Sequence, residues 1–252
     1  QKFDVAIVLD AAASTLAENL SVLKRSGQVI AFGDEAIASP EGFEIECRLR
    51  PIGREVDVLS IYEVARNAFG FETLRVSYRS DGQTLGGLIN REFYQNRIIF
   101  EPTPAEFEGK KSHSIEIITE GANANSTYDG ATESPEAEVR RVVDLVLNHA
   151  LWHPEQSLFV ASASSVHADR IRAAVQKELA QKPDLAPFFD AHGDEKFEVV
   201  SIADLAHRIA DRIIFSVGFG LTPRGGVSSD FGQLSQRDGR RYLANTLVSA
   251  RK

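Results

Sequence analysis

Apolar and polar positions change period along this chain, and each change marks an element. "FDVAIVLD", Phe3 to Asp10, is a short apolar run ending in an acid, which predicts a buried parallel strand. "STLAENLSVLKRSG" follows with Leu16, Leu20 and Leu23 at helical spacing. It predicts a helix with Ser14 as N-cap and Gly27 as its stop. "QVIAFGD", Gln28 to Asp34, predicts a second strand. The three segments form a βαβ unit whose crossover is right-handed. The mixed stretch that follows contains Pro40, Pro51 and several glycines, and reads as a connector with one helix from Leu59 to Phe69.

From about residue 71 the pattern restarts. "FETLRVSYRS" predicts a strand, and "GQTLGGLINREFY" a helix with Leu85, Leu88, Ile89 and Phe93 inward. "SHSIEIIT" alternates like a strand. "SPEAEVRRVVDLVLNHAL" is the clearest helix: Ser134 is the expected N-cap, Pro135 the first helical residue, and acids fill the first turn. Its apolar stripe is Val139, Val142, Val143, Val146 and Leu147. "SLFVAS", "FEVVSI" and "DRIIFSVGFG" predict strands, "SVHADRIRAAVQKELAQK" a helix, and "LTPRGGVSSDFG" a Gly-rich loop. Alternating helices and apolar strands imply an α/β fold with a mainly parallel sheet covered on both faces. In such sheets ligands meet the carboxyl ends of strands. That singles out Asp10, Gly33–Asp34, Tyr78–Ser80, Ala161–Ser165, Ile202–His207 and Gly218–Gly220.

Composition narrows the class. Of 252 residues, 43% are hydrophobic and 25% charged, enough to bury a sizeable core. No apolar run approaches the roughly 18 residues needed to span a bilayer, so no membrane partner is expected. Asp4 and Asp10 interrupt the first apolar segment and leave no signal-peptide layout. The single cysteine, Cys47, excludes an internal disulfide and fits a reducing, cytoplasmic compartment. The chain lacks an initiator Met and begins on a core strand, which predicts a piece of a longer polypeptide. A net charge of −8 argues against a whole-surface nucleic-acid binder but leaves room for a local basic groove. Arg237, Arg240, Arg241, Arg251 and Lys252 cluster near the end, and Arg75, Arg79, Arg91 and Arg97 gather in the first half.

The order of segments resembles the superfamily I DNA and RNA helicases. The matching marks are "SYRSDGQTLGGLINREFYQNRIIF", "DRIIFSVGFG" and "FGQLSQRDGRRYLANTLVSARK". The first is similar to the family's Tyr-Arg-Ser segment with its helix and Phe-Tyr pair. The others are similar to its Ile-Ile-Phe-Ser strand and final Thr-Arg-Ala-Arg helix. The resemblance covers nearly the whole chain. It implies RecA-like, three-layer domains of the P-loop NTPase type. Residues 1–40 would be the trailing part of a first such domain, 41–70 a connector, and 71–252 a second, nearly complete one. The resemblance also implies ATP and Mg²⁺ as cofactors and single-stranded DNA or RNA as partner. An upstream first domain of the same polypeptide would carry the Gly-Lys phosphate loop, which these residues lack.

The family's chemistry is eroded here. Its Walker B strand ends Asp-Glu-Ala-Ser, where Asp holds Mg²⁺ and Glu polarises the attacking water. Gapless alignment puts Leu9, Asp10, Ala11 and Ala12 at those places. Leu9 offers no oxygen to a metal; if Asp10 is shifted into that role, Ala11 replaces the water-orienting acid. The next motif keeps Gly33 and Asp34 but has Ile37 where the family's γ-phosphate-sensing Gln stands. "LAHRIAD" keeps only Asp211 of the coupling motif, and the final γ-phosphate arginine falls on Ser249, with Arg251 two residues on. Those two side chains point in different directions on a helix. Losing one such arginine costs on the order of 10³ or more in rate.

The resemblance therefore assigns Asp10 and Arg79 as the remaining catalytic candidates. Gly33, Asp34, Arg79 and Arg251 are the nucleotide-binding candidates; Arg240, Arg241 and Tyr78 are those for nucleic acid. No metal site is assigned. His149 and His153 have chelating spacing but lack a third ligand, and Pro154 breaks the helix there. "DAHGDE", Asp190 to Glu195, reads as a solvated loop, Trp152 as an edge packer and Phe93 as core. Three readings stand. The region is a helicase-related domain, degenerate in ATP hydrolysis and serving nucleic-acid binding or structure. Alternatively it belongs to an active ATP-dependent DNA helicase, or it is a protein-interaction scaffold. An isolated βαβ unit would expose apolar strand faces, which residues upstream or another chain are expected to cover.

Overall fold

A computed structural model describes residues 2–40, 59–77, 82–118, 133–191, 193–205, 208–222, 225–226 and 229–251. The chain forms two compact units, Gln1–Leu74 and Arg75–Lys252.

In the first unit, β1 (Phe3–Val8), α1 (Leu16–Leu23) and β2 (Ser26–Ala31) make the expected βαβ, with β1 and β2 parallel. The N-cap of α1 is Thr15, one residue later than the sequence suggests. Glu18, three residues on, closes a capping box with Thr15: its carboxylate accepts from the Thr15 N–H, and the Thr15 hydroxyl oxygen accepts from the Glu18 N–H. The helix stops at Leu23, and Gly27, expected as its stop, lies inside β2. A Cβ at Gly27 would sit 3.3 Å from the Asp4 carbonyl oxygen, so the absent side chain relieves close packing in the strand pair.

Helix α2 (Ile61–Phe69) repeats the device, with Ser60 as N-cap and Glu63 closing the box. Its Ile61 packs with Val8 and Ala11, joined by Leu23, Ala31 and Tyr62, in one small core. The helix expected in the connector therefore belongs to this core. The strand period of 2 puts Ala6 and Val8 inward, and leaves Ile7 and Leu9 61% and 69% exposed.

The second unit starts with β3 (Val76–Ser77), α3 (Gln83–Phe93), β4 (Ile99–Phe100) and α4 (Pro104–Phe107). β3 and β4 pair in parallel. Leu85 and Ile89 are buried as the pattern predicts, and Phe93 is half-buried. "SHSIEIIT" does not form the expected strand across its described residues. Ile115 and Ile117 are 83% and 82% exposed. Alternation alone supplies no neighbouring strand to satisfy the backbone, and none pairs with this segment among the described residues.

The rest is a three-stranded parallel sheet in the order β6-β5-β7: β5 (Leu158–Ser162), β6 (Glu198–Ser201) and β7 (Arg212–Ser216). Helix α5 (Glu136–Trp152) leads into it, α6 (Ser165–Leu179) and α7 (Ala186–Asp190) lie between β5 and β6, and α8 (Gly239–Val248) follows β7. Central β5 is buried on both faces. Leu158 and Val160 join the valine stripe of α5 together with Ala168, Ile171 and Val175 of α6. Phe159 and Ala161 join Val200, Ile202, Leu205 and Ala210 on the other side. Each fully buried aliphatic side chain contributes about 1.5–3 kcal/mol, which makes this double-sided core the main source of the unit's stability.

Ser134 is not the N-cap of α5. Pro135 occupies that position without a side-chain bond, and Ser134 lies before it in the left-handed region, at φ 57°. Its hydroxyl is engaged by the buried His167 ring instead. The overall result is an α/β protein with small parallel sheets.

Candidate functional site

In the first unit the carboxyl end of β1 turns at Asp10. Asp10 takes φ 53°, a left-handed conformation that Asp tolerates better than most residues. Its carbonyl accepts from the Ala13 N–H at 2.9 Å, and the Ala11 N–H donates to the Phe32 carbonyl at 2.7 Å. Ala11 is 0% exposed, and its carbonyl accepts from the Tyr62 N–H at 3.0 Å. Asp10 thus stands between an exposed leucine and a buried alanine.

Gly33 has a packing reason. A Cβ there would come within 2.8 Å of the Ala12 nitrogen and of the Tyr62 ring. Asp34 turns its carboxylate back onto the Ala36 N–H at 2.9 Å, forming a local turn. The residues here do not fit the Mg²⁺–ATP site that the helicase resemblance implies. Leu9 has no ligand atom, and an acid at Ala11 would have to ionise inside the small core.

In the second unit a polar chain runs across the carboxyl ends of the strands, where α/β sheets bind their ligands. His167, on the first turn of α6, is 0% exposed. Its Nδ1 lies 2.8 Å from Ser134 Oγ and its Nε2 2.9 Å from Ser216 Oγ. The Ser216 hydroxyl donates to Glu138 Oε1 at 2.6 Å, so its oxygen accepts from the His167 Nε2–H. That assigns Nδ1 as the bare nitrogen, which accepts from the Ser134 hydroxyl. Ser134 Oγ in turn accepts from Arg170 Nη1 at 3.1 Å. The chain therefore runs in one direction, from the Arg170 cation through a neutral imidazole to the Glu138 carboxylate, and each bond polarises the next. Burial pushes His167 below the usual imidazole value, against the pull of Glu138.

Neighbouring groups complete this end of the sheet. The Gly218 N–H donates to Glu138 Oε1 at 2.9 Å, and the Ser134 N–H to the Gly218 carbonyl at 2.8 Å. Ser164 caps α6 through the His167 N–H and donates its own proton to Glu133. Across β6 and β5, Ser201 donates to Gln233 Oε1 at 2.7 Å, and the Gln233 N–H to the Ala163 carbonyl at 3.1 Å. The carboxyl ends of β5, β6 and β7 are all bonded to the unit's own groups.

Among the described residues, the predicted cations Arg240, Arg241 and Arg251 are held by intramolecular contacts. Arg251 places Nη1 2.8 Å from Glu195 Oε2 and bonds Glu195 Oε1 through Nη2. Asp211 lies 3.6 Å from Nη1. These bonds raise the Arg251 guanidinium above its already high value, with Glu195 the chief cause. Ser157 ties the cluster together: its hydroxyl donates to Glu195 and its N–H to Asp211. Ser157 and Asp211 immediately precede β5 and β7, so Arg251 sits at the amino ends of the strands. Glu195, read from sequence as part of a solvated loop, is instead an ion-pair partner.

Arg240 stacks over the Phe93 ring at 5.4 Å and bonds the Glu92 carbonyl, joining α8 to the end of α3. Arg241 pairs with Asp238 at 2.6 Å. Tyr78 and Arg79 lie outside the described residues. Ser249, where the helicase resemblance expects an arginine, is 0% exposed and donates to the Asn245 carbonyl.

The His149 and His153 rings lie side by side, tilted 42° to each other with centroids 5.7 Å apart. The His149 Nε2–H donates to the Gln156 carbonyl at 2.9 Å, and burial pushes its value down. Trp152 is 71% exposed at the end of α5, so it does not pack as an edge residue. No group of three or more His, Cys, Asp or Glu able to hold a metal occurs among the described residues. No helix among them is long and apolar enough to cross a membrane.

Sequence reasoning singled out the strand ends carrying Ser164 and Gly218 but missed the chain through Ser134, His167, Ser216 and Glu138. The available signal was a serine at or next to the end of each strand, with a histidine one helical turn beyond Ser164. No protein-family model and no curated protein matches the chain.

Proposed function

We propose that this chain is a helicase-related protein of RecA-like architecture. In this reading ATP turnover is lost and the region serves as structure or as a binding surface for single-stranded nucleic acid. The observation that carries it is Ala11. It follows the sole acid at the end of β1, is fully buried, and is bonded through its carbonyl to Tyr62. Phosphoryl transfer of this kind rests on charge placed against the phosphates and their Mg²⁺. Here one carboxylate occupies a turn that needs two. The internal bonds of Arg251, Arg240 and Arg241 agree with a structural use of those cations.

An interaction scaffold without nucleotide chemistry is favoured by the same internal bonds and by the net charge of −8. The active-helicase alternative rests on Asp10 and Arg79.

ATP hydrolysis by the full-length protein, with and without single-stranded DNA and beside Arg79→Ala, tests the proposal. The expected result is no DNA-stimulated turnover. Stimulated turnover that disappears in Arg79→Ala would overturn it. Single-strand binding that weakens steeply with salt supports the binding role, because phosphate contacts release counterions. Absence of both activities supports the scaffold.

A further inference from the structure

His167 has neighbours that suit it only in its neutral form. A proton added at Nδ1 turns that nitrogen into a donor facing the Ser134 hydroxyl, whose oxygen already takes the Arg170 N–H. The Ser134 hydrogen would then have no acceptor in the chain, since a guanidinium only donates. The charged groups around the ring come from two helices and the residues before α5. Glu138 of α5 lies 3.7 Å from Nε2, and Glu133 precedes that helix. Arg170 of α6 is bonded to Glu136 of α5. β7 contributes Ser216 and is followed by the Gly218 backbone, neither with a titratable group. The carboxylates attract a proton, while Arg170 and burial oppose it, burial being the larger effect.

The backbone is coupled to this ring. Ser134, held at φ 57°, hangs on the Gly218 carbonyl through its N–H, and its carbonyl accepts from Arg170. Gly218, at φ 76°, lies so close that a Cβ would come within 2.8 Å of the imidazole. Glu133 and Phe219 form an antiparallel bridge beside it. A change in the ring's hydrogen bonding reaches both segments at once.

We propose that the chain Arg170–Ser134–His167–Ser216–Glu138 is a pH-sensitive latch. It is closed at neutral pH and opened by one proton on His167, which frees residues 133–135 and 217–219 while leaving β5 in place. The latch is independent of any nucleotide or nucleic-acid role. The direction follows from burial, which holds the closed form of His167 below its ordinary 6.5. The opened form binds the proton first, so the latch is complete above about pH 6.5 and is lost as pH falls below that value.

Amide hydrogen exchange of the intact chain between pH 7.5 and 5, corrected for intrinsic rates, tests it. Protection at the Ser134 and Gly218 amides is expected to fall up to roughly tenfold per pH unit below 6.5, as one-proton linkage requires. Protection at Val160 in β5 stays constant. His167→Gln keeps one donor and one acceptor but cannot titrate, and its protection is expected to be flat across the range. Nitrogen chemical shifts at pH 7.5 should show the Nε2–H tautomer. A flat profile in the native chain, an equal loss in His167→Gln, a parallel loss at Val160, or the Nδ1–H tautomer would each overturn the latch. If His167→Gln does not fold, the native profile and the tautomer decide.

Discussion

Arg251 and Glu195 meet fork to fork, both terminal guanidinium nitrogens on both carboxylate oxygens, at the amino-end edge of the three-stranded sheet. Asp211 and Ser157 close the cluster. This ties the segment after α8 to the residues that immediately precede β5 and β7. The Arg251 N–H also donates to the Ala210 carbonyl at 3.0 Å, next to Asp211.

Arg251→Ala should therefore act on stability. The pair is more than a third exposed on the arginine side, so solvent screening limits its worth to about 1 kcal/mol. Urea denaturation should show a lower midpoint at unchanged slope. A variant with an unchanged midpoint and weakened ATP binding would mean that Arg251 faces a nucleotide.

Glu106 joins two helices. Its carboxylate closes the capping box of α4 with Thr103, and also accepts from the Gln83 and Thr84 N–H groups at the start of α3. The bond from the Thr84 hydroxyl, with those two N–H groups, holds its carboxyl down at about 2. This contribution is complete above about pH 4.5 and is lost as pH falls from 4.5 toward 2. Glu106→Gln should flatten that part of the stability profile. At neutral pH it should cost about 0.5–1 kcal/mol, since the site faces solvent. Thermal melts at pH 3, 4.5 and 7 check both statements; an unchanged acid slope would refute the assignment.

Gly86 and Gly87 are adjacent on α3 and should respond oppositely to alanine. A helix interior favours Ala over Gly by about 1 kcal/mol. A Cβ at Gly87 meets nothing within 4 Å, so Gly87→Ala should stabilise by about that amount. At Gly86 the new carbon would lie 2.4 Å from Cγ of buried Phe100, and overpacking of about 1–3 kcal/mol outweighs the propensity gain. Denaturant midpoints of the two variants read the difference directly; equal shifts would show that Phe100 yields freely.

Periodicity alone located α5, α6 and the strands β5, β6 and β7, because their apolar spacing records which sides are buried. The valines of α5 and the doubly buried β5 needed no further information. The capping residue of α1 was less legible: Ser14 and Thr15 both suit the role, and only the reach of Glu18 to Thr15 selects between them. Ser134 carries a typical N-cap sequence, yet its hydroxyl is more useful to buried His167, whose ring nitrogen would otherwise lack a partner. "SHSIEIIT" has a strand's alternation but no described neighbour to pair with. A strand is completed by hydrogen bonds to another segment, and no local pattern encodes where that segment lies.

The same division holds for the candidate site. The sequence by itself determined that Leu9, Ala11 and Ser249 carry no charged side chain, since residue identity decides which atoms can bind a metal or a phosphate. Only the tertiary structure decided what Arg240, Arg251 and Glu195 touch, and that His167 links helices α5 and α6 to the turn after β7. The bonded pairs of that chain lie 33 to 78 positions apart. Their contacts depend on how the strands and helices pack, which spacing along the chain does not carry.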